Sequence, residues 1–461
     1  MPSIHTLYKT LAKDTTVYFI ATVGAKLASM AVIPLAAYVL AAAQFAVYDE
    51  FLLINTLLTL LLLLGIDSAA AVKIPLTQDE DYHRHILLFM LCVTSFAFAI
   101  LLGIAASLTA LGIWTSLPLW HSVFASFFSA LQLIVFTFFR YKGNALHSAL
   151  IMFVSAALST ALGLLFIVLD PARTVQSLLK GVVMGQLVGA IASLYLIKGK
   201  TVFRQNFWNK KEVLALMRLG LPYVPASFAM WARKSIDRYL IALYFGDAGI
   251  QGAYALMARL AELAQVALGT LGSACTPLVL RHYKEKSGQI FARKILYFSV
   301  AIACLATVMV WIFSSEVVQL LDRQKLSQSN SYIDYYSLLL PLTAAGLLGS
   351  LLYFAGFGFQ IAQRSGTYAA LMLGGFLIQA ALAISALQLG FGLLGLAFSA
   401  IAGTALFSIV YILVSEKLYS FSYGTLNWLL PILGICVFSI AVSINSCATI
   451  RQAQSVCANT R

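Results

Sequence analysis

The chain has 461 residues, 61% of them hydrophobic and only 10% charged. Soluble domains are about 25% charged and single cores stop growing near ~250–300 residues, so a soluble fold that hides this apolar excess is excluded. The formal charge of +13 would point to nucleic acid in a soluble domain; here it fits Lys and Arg collected in loops on one side of a membrane.

Apolar runs recur along the whole length, and a run of about 20 residues crosses roughly 30 Å of hydrocarbon as a helix. Spans are predicted near residues 15–40, 47–66, 86–110, 117–139, 146–169, 175–197, 219–245, 251–279, 295–320, 333–357, 366–388, 391–414 and 427–447. The fold class is an all-α polytopic membrane protein of about 12–13 transmembrane helices, the thirteenth an addition to a core of twelve. The first run, Val17 to Leu40, holds Lys26 and exceeds the ~7–15-residue core of a cleaved signal, so it is read as a span. His83-Arg84-His85 falls in a predicted charged loop. On a helix its two histidines would point apart, so it is not read as a metal site.

At the chain's midpoint, Lys198 to Arg218 reads KGKTVFRQNFWNKKEVLALMR. Its basic residues, with Phe203, Phe207 and Trp208, suit a segment lying on the inner membrane surface. It separates an N-terminal six-helix lobe (residues 1–197) from a C-terminal six-helix lobe (219–415), and residues 416–461 form an extra segment and tail. Shifted by 206 residues, Tyr48 falls on Tyr254, Gly65 one place short of Gly272, and Lys26 one place short of Arg233. Six spans separate the copies, so the repeat is parallel, as in transporters whose substrate site lies between two bundles. With the N-terminus in the cytoplasm, most loop Lys and Arg lie inside, the orientation that the positive-inside rule predicts.

Gly390, Gly392 and Gly395 fit G-x-G-x-x-G, with Glu416 further on. The motif joins two apolar runs instead of opening a helix in a βαβ unit, so the dinucleotide reading is set aside. These glycines, and those of AGFGFQ and GGFLIQ, are read as helix-packing residues. The six cysteines form no C-x-x-C and are read as small core residues. No Ser/His/Asp, Cys/His or H-E-x-x-H grouping stands out, so neither an enzyme nor a metal site is expected.

The seventh span carries Arg233, Lys234, Asp237 and Arg238. A charge at the bilayer centre costs at least about 2.5–3.5 kcal/mol. On a helix these four residues share one arc of about 140°. Arg233 and Asp237 are spaced i,i+4, and Arg259 and Glu262 of the eighth span i,i+3, so both pairs can form. Lys26 has no acid within four residues. Away from the span ends, five bases face two acids. Three readings are open. The first is a net-positive cavity for an anionic substrate, above all phosphate, since the Arg fork binds two oxygens at once. The second is structural pairing with acids or carbonyls. The third is snorkelling, for which Arg238, nearest the outer end, is best placed.

The block GLPYVPASFAMWARKSIDRYLIALYFGDAGIQGAYALMARLAE, Gly220 to Glu262, resembles the seventh and eighth helices of polysaccharide-biosynthesis flippases. AVYDEFLLINTLLTLLLLLGIDSAA, Ala46 to Ala70, resembles their second span, and LGFGLLGLAFSAIAGTAL their twelfth-span entry. The family is the O-antigen (Wzx-type) flippase branch of the multidrug/oligosaccharidyl-lipid/polysaccharide exporter superfamily. The resemblance implies two six-helix lobes around a central cavity in a bacterial inner membrane. It implies transfer of an undecaprenyl-diphosphate-linked oligosaccharide from the cytoplasmic to the periplasmic leaflet, among membrane lipids and other glycan-assembly membrane proteins. It places Lys26, Arg233, Lys234, Arg259 and Arg238 as substrate-binding residues. Asp237 and Glu262 would hold these bases or accept a coupling ion, H+ or Na+, with no other cofactor. The rival readings are a lipid-linked peptidoglycan-precursor flippase, a drug exporter of the same fold with an acidic cavity, and a non-transporting scaffold for glycan synthesis.

Overall fold

The computed structural model describes residues 24, 32–74, 79–113, 118–142, 144–197, 210–322 and 332–459, and among these no strand occurs. In chain order the helices are α1 (Ala42–Leu63), α2 (Ile66–Lys73), α3 (Glu80–Ala110), α4 (Pro118–Lys142), α5 (Ala145–Leu169), α6 (Val175–Leu196), α7 (Lys210–Gly220), α8 (Tyr223–Phe245), α9 (Ala248–His282), α10 (Lys286–Asp322), a 3-10 helix (Tyr332–Leu338), α11 (Leu339–Ser350), α12 (Leu352–Ala355), α13 (Phe357–Ile361), α14 (Ser365–Gln388), α15 (Gly392–Leu418) and α16 (Thr425–Asn459). Eleven helices among the described residues are long and apolar enough to cross a membrane. The first predicted span lies largely outside the described residues, as does Lys26 itself; residues 32–39 at its end are helical. The eighth corresponds to α9, 35 residues long, with Arg259 and Glu262 inside it.

The chain divides into two compact units, Met1–Ser235 with Arg364–Leu373, and Ile236–Gln363 with Gly374–Arg461. In the first unit, α5 and α6 pack backbone to backbone. Gly181, Gly185 and Gly189 recur every fourth residue, so they form one small-residue stripe on α6. A methyl at Gly181 would lie 2.2 Å from the Leu162 carbonyl oxygen, and one at Gly185 2.4 Å from the Ser159 Cα. Helices without a hydrophobic drive to associate in lipid gain by such close approach.

The rest of this unit's core joins Ile66, Ala69 and Ala70 of α2 to Ile86 and Met90 of α3 and to Ile134, Phe138 and Phe139 of α4. Leu216 of α7 is buried in the same cluster. The described part of the basic linker, α7, therefore packs against this core through one face. The reason is its amphipathic pattern: Val213, Leu216, Met217 and Leu219 face inward, while Lys211 and Arg218 stay near its surface. Phe203, Phe207 and Trp208 lie outside the described residues.

The charged stretch before the third span is a helix start, not a loop. Asp79 accepts from the backbone N–H groups of Asp81 (2.9 Å) and Tyr82 (3.4 Å). Glu80 and Asp81 occupy the first turn, where acids favour a helix N-terminus. The Lys142 ammonium beside Glu80 holds that carboxyl below its usual range. His83 is buried, its Nε2 3.0 Å from the Ile74 carbonyl oxygen. Among the described residues no His/Cys/Asp/Glu grouping could hold a metal.

The second unit is built on Phe354, Phe357, Leu268, Leu296, Ile401 and Ile412. The predicted extra segment is α16, and its Trp428, Ile432 and Ile435 are part of that core. It is tied in by polar contacts as well. Tyr423 Oη donates to the Phe354 carbonyl (3.2 Å), and Asn427 Nδ2 to Tyr297 Oη (3.1 Å). Ile432 is fully buried, so Ile432→Val is expected to destabilise the protein by about 0.5–1.5 kcal/mol. Thermal unfolding in detergent, followed by intrinsic fluorescence, measures it.

The packing role expected of the glycines holds at several positions. A methyl at Gly356 would lie 2.3 Å from Tyr411 Oη, at Gly358 2.1 Å from the Ser415 carbonyl oxygen, and at Gly375 2.4 Å from the Phe407 ring. Gly374 meets nothing within 4 Å. Gly390 and Gly392 are corrected: they have φ of +77° and +60° with nothing within 4 Å. They serve the left-handed turn between α14 and α15, which residues with a Cβ rarely adopt.

Candidate basic site on α8 and α9

Sequence sets the ends of both helices. Pro222 and Pro225 flank the start of α8, where a missing N–H leaves no intrahelical bond unmade. Gly246 follows its last residue, the usual stop. Asp247 then caps α9, accepting from Gly249 N–H (2.6 Å) and Ile250 N–H (3.3 Å). The pair is thus a helical hairpin with a two-residue turn. In the first unit, Trp231 Nε1–H donates to the Leu53 carbonyl of α1 (2.9 Å) and fixes the early part of α8.

Asp237 is the hub of the charged segment. Its Oδ1 accepts from Arg238 Nη1 (3.2 Å) and from the Arg238 backbone N–H (2.9 Å). Its Oδ2 accepts from Tyr254 Oη (2.7 Å) across the hairpin. Arg238 is 4% exposed and Tyr254 0%. One expectation changes. Arg238 does not snorkel; it is buried on a carboxylate, because nearness to a helix end in sequence does not set burial. Asp237 is held by Arg238 and Tyr254, partners that the i,i+4 spacing with Arg233 does not predict. Tyr254 is a residue that composition and charge spacing miss. The one signal that reaches it is the internal match to Tyr48, itself buried.

The i,i+3 pair on α9 is as expected: Arg259 Nη1 donates to Glu262 Oε2 at 3.0 Å. Arg233 is half-buried and Lys234 exposed. Away from their ends, α8 and α9 carry four bases against two acids. A formal excess of two positive charges follows whichever residues pair. Bases of these two kinds can each bind an anion, Arg gripping two oxygens in a plane and Lys acting as a point charge.

The fold is that of the MOP-superfamily transporters. One similar solved structure is a MOP superfamily transporter from Pyrococcus furiosus, described as having a binding pocket of reverse polarity that suggests a different function. It matches with a TM-score of 0.70 and 17% identity, over 89% of this chain and 96% of that one. A MATE transporter in complex with MaD5 matches at 0.68 and 17% over 92% and 100%. An inward-facing multidrug resistance MATE transporter matches at 0.61 and 19% over 88% and 95%. No curated protein matches significantly. The family model for polysaccharide biosynthesis proteins matches residues 11–283, and the chain belongs to that family.

Proposed function

We propose that this protein is a flippase that carries a polyprenyl-diphosphate-linked oligosaccharide across a bacterial inner membrane, from the cytoplasmic to the periplasmic leaflet, as in the O-antigen branch of its family. The observation that carries the reading is the positive excess on α8 and α9 within a polysaccharide-biosynthesis chain. The substrate's hydroxyls and diphosphate cannot enter hydrocarbon without replacement donors, since an unpaired polar group there costs several kcal/mol. Lys26, Arg233, Lys234 and Arg259 supply those donors to the diphosphate. Asp237 and Glu262 keep Arg238 and Arg259 in place, and Arg238 acts through that network rather than on substrate. Transfer proceeds by alternating access, with the polyprenyl tail left in lipid.

Arg233→Ala is expected to slow export by ~10–100-fold, the loss of one charge-assisted contact of about 1.5–3 kcal/mol. Arg233→Lys should keep part of the activity, because the charge stays and the fork is lost. The measurement is surface glycan in cells whose own flippase is deleted, with membrane insertion of each variant verified. Surface glycan at the unsubstituted level in Arg233→Ala cells contradicts the role.

A further inference from the structure

We propose that the second unit holds a subsite for one neutral sugar ring, at the end of α10 opposite its basic start at Lys286, Arg293 and Lys294. A cavity of about 190 Å³ lies there between α10, the 3-10 helix and α16. Its wall includes Trp311, Ser314 and Ser315 of α10, Tyr336 and Ser337 of the 3-10 helix, and Ser443 of α16. No charged side chain is among its described lining residues. The volume falls below the ~300–1,000 Å³ of drug-sized pockets, so it suits a single ring and not a drug-sized ligand.

The hydroxyls say what kind of ring. Ser315 Oγ donates to Glu316 Oε2 (2.9 Å), and Ser314 Oγ to the Trp311 carbonyl (3.4 Å). Both hydroxyls spend their protons within the protein, so toward a ligand they can act only as acceptors. Ser443 is 1% exposed and its Oγ has no hydrogen-bond partner, a group that a bound molecule would satisfy. A ligand here must bring its own O–H donors as well as acceptors. A phosphodiester anion, as in a lipid headgroup, brings only acceptors, whereas a pyranose brings both. Trp311 supplies an aromatic wall of the kind that a sugar's C–H face packs against, and its indole is held by a T-shaped contact with Phe438 at 5.4 Å and 89°. Aromatic rings with a polar edge commonly serve such half-apolar ligands. This cavity belongs to the second unit alone and uses none of the bases on α8 and α9.

The test is saturation-transfer NMR on the full chain in lipid nanodiscs. The probes are methyl α-glucopyranoside, methyl α-galactopyranoside and methyl α-mannopyranoside, with glycerol and dimethyl phosphate, whose methyl protons report transfer, as the lipid-headgroup and anion arms. Transfer to at least one glycoside is expected, and none to dimethyl phosphate. Ser443→Ala removes a hydroxyl without a partner and keeps the packing, so it should leave Tm unchanged while weakening glycoside binding about five-fold, one hydrogen bond's share. Ser443→Leu fills the cavity and should abolish transfer. Silence of all three glycosides, transfer to glycerol alone, or transfer that neither variant alters overturns the subsite. Export of glycan is scored separately. Sugar binding without export would leave the subsite standing and sink the flippase reading, and export without sugar binding would do the reverse.

Discussion

Asp237→Ala is expected to lower stability by about 3–5 kcal/mol, the loss typical when one member of a buried ion pair is deleted. The carboxylate serves two buried groups at once, Arg238 at 3.2 Å and Tyr254 at 2.7 Å. Removing it takes the counter-charge from a guanidinium that is 4% exposed, and in a membrane interior that charge cannot be rehydrated cheaply. Tyr254→Phe deletes only the neutral donor. Hydrogen bonds between membrane helices average about 0.6 kcal/mol, so its effect should be several-fold smaller. Replacing both charges, Asp237→Leu with Arg238→Met, should restore most of the loss, because well-packed apolar residues substitute for a buried pair at little penalty. Thermal unfolding of the purified variants in one detergent measures all three. An Asp237→Ala protein no less stable than Tyr254→Phe would show that the carboxylate is not the hub described.

Gly185→Leu is expected to prevent α5 and α6 from packing and to leave no monodisperse protein after solubilisation. Even the first added carbon would sit 2.4 Å from the Ser159 Cα and 2.6 Å from its backbone nitrogen. Backbone cannot step aside as a side-chain tip can. Gly185→Ala should then cost about 1–3 kcal/mol from overpacking alone. Gly103 of α3 is the control, since a methyl there meets nothing within 4 Å. Gly103→Ala should be neutral or stabilising by up to about 1 kcal/mol through helix propensity. Fluorescence-detected size exclusion and thermal unfolding separate the cases. Equal behaviour of Gly185→Ala and Gly103→Ala would rule out the close-packed stripe.

Much of this architecture is legible in the residue pattern because hydrocarbon imposes it. A helix is the one way for an apolar segment such as residues 392–418 to satisfy its backbone in lipid. Pairs within one helix are legible too: Arg259 and Glu262 are three apart and meet at 3.0 Å. What spacing cannot reveal is the azimuth at which neighbouring helices face each other. The Asp237–Tyr254 contact spans a hairpin, and no periodicity on α8 alone points to α9. Arg238 is misplaced by the sequence for the same reason. The Gly181–Gly185–Gly189 stripe is visible as a repeat of four, yet its partner, Ser159 and Leu162 of α5, is fixed only by the packing. The histidines near α3 mislead because a run of charge reads as a loop, while Asp79, Glu80 and Asp81 are the signals that start a helix.

In the proposed function the basic residues of α8 and α9 serve a carrier of diphosphate-linked glycan. Mass spectrometry of lipids that co-purify with the protein, extracted gently from cells that make the lipid-linked glycan, tests it most directly. A polyprenyl-diphosphate oligosaccharide is expected in the purified sample, depleted when Arg233 is replaced by alanine. Recovery of phospholipid alone, from cells in which that glycan lipid is present in the membrane, would contradict it.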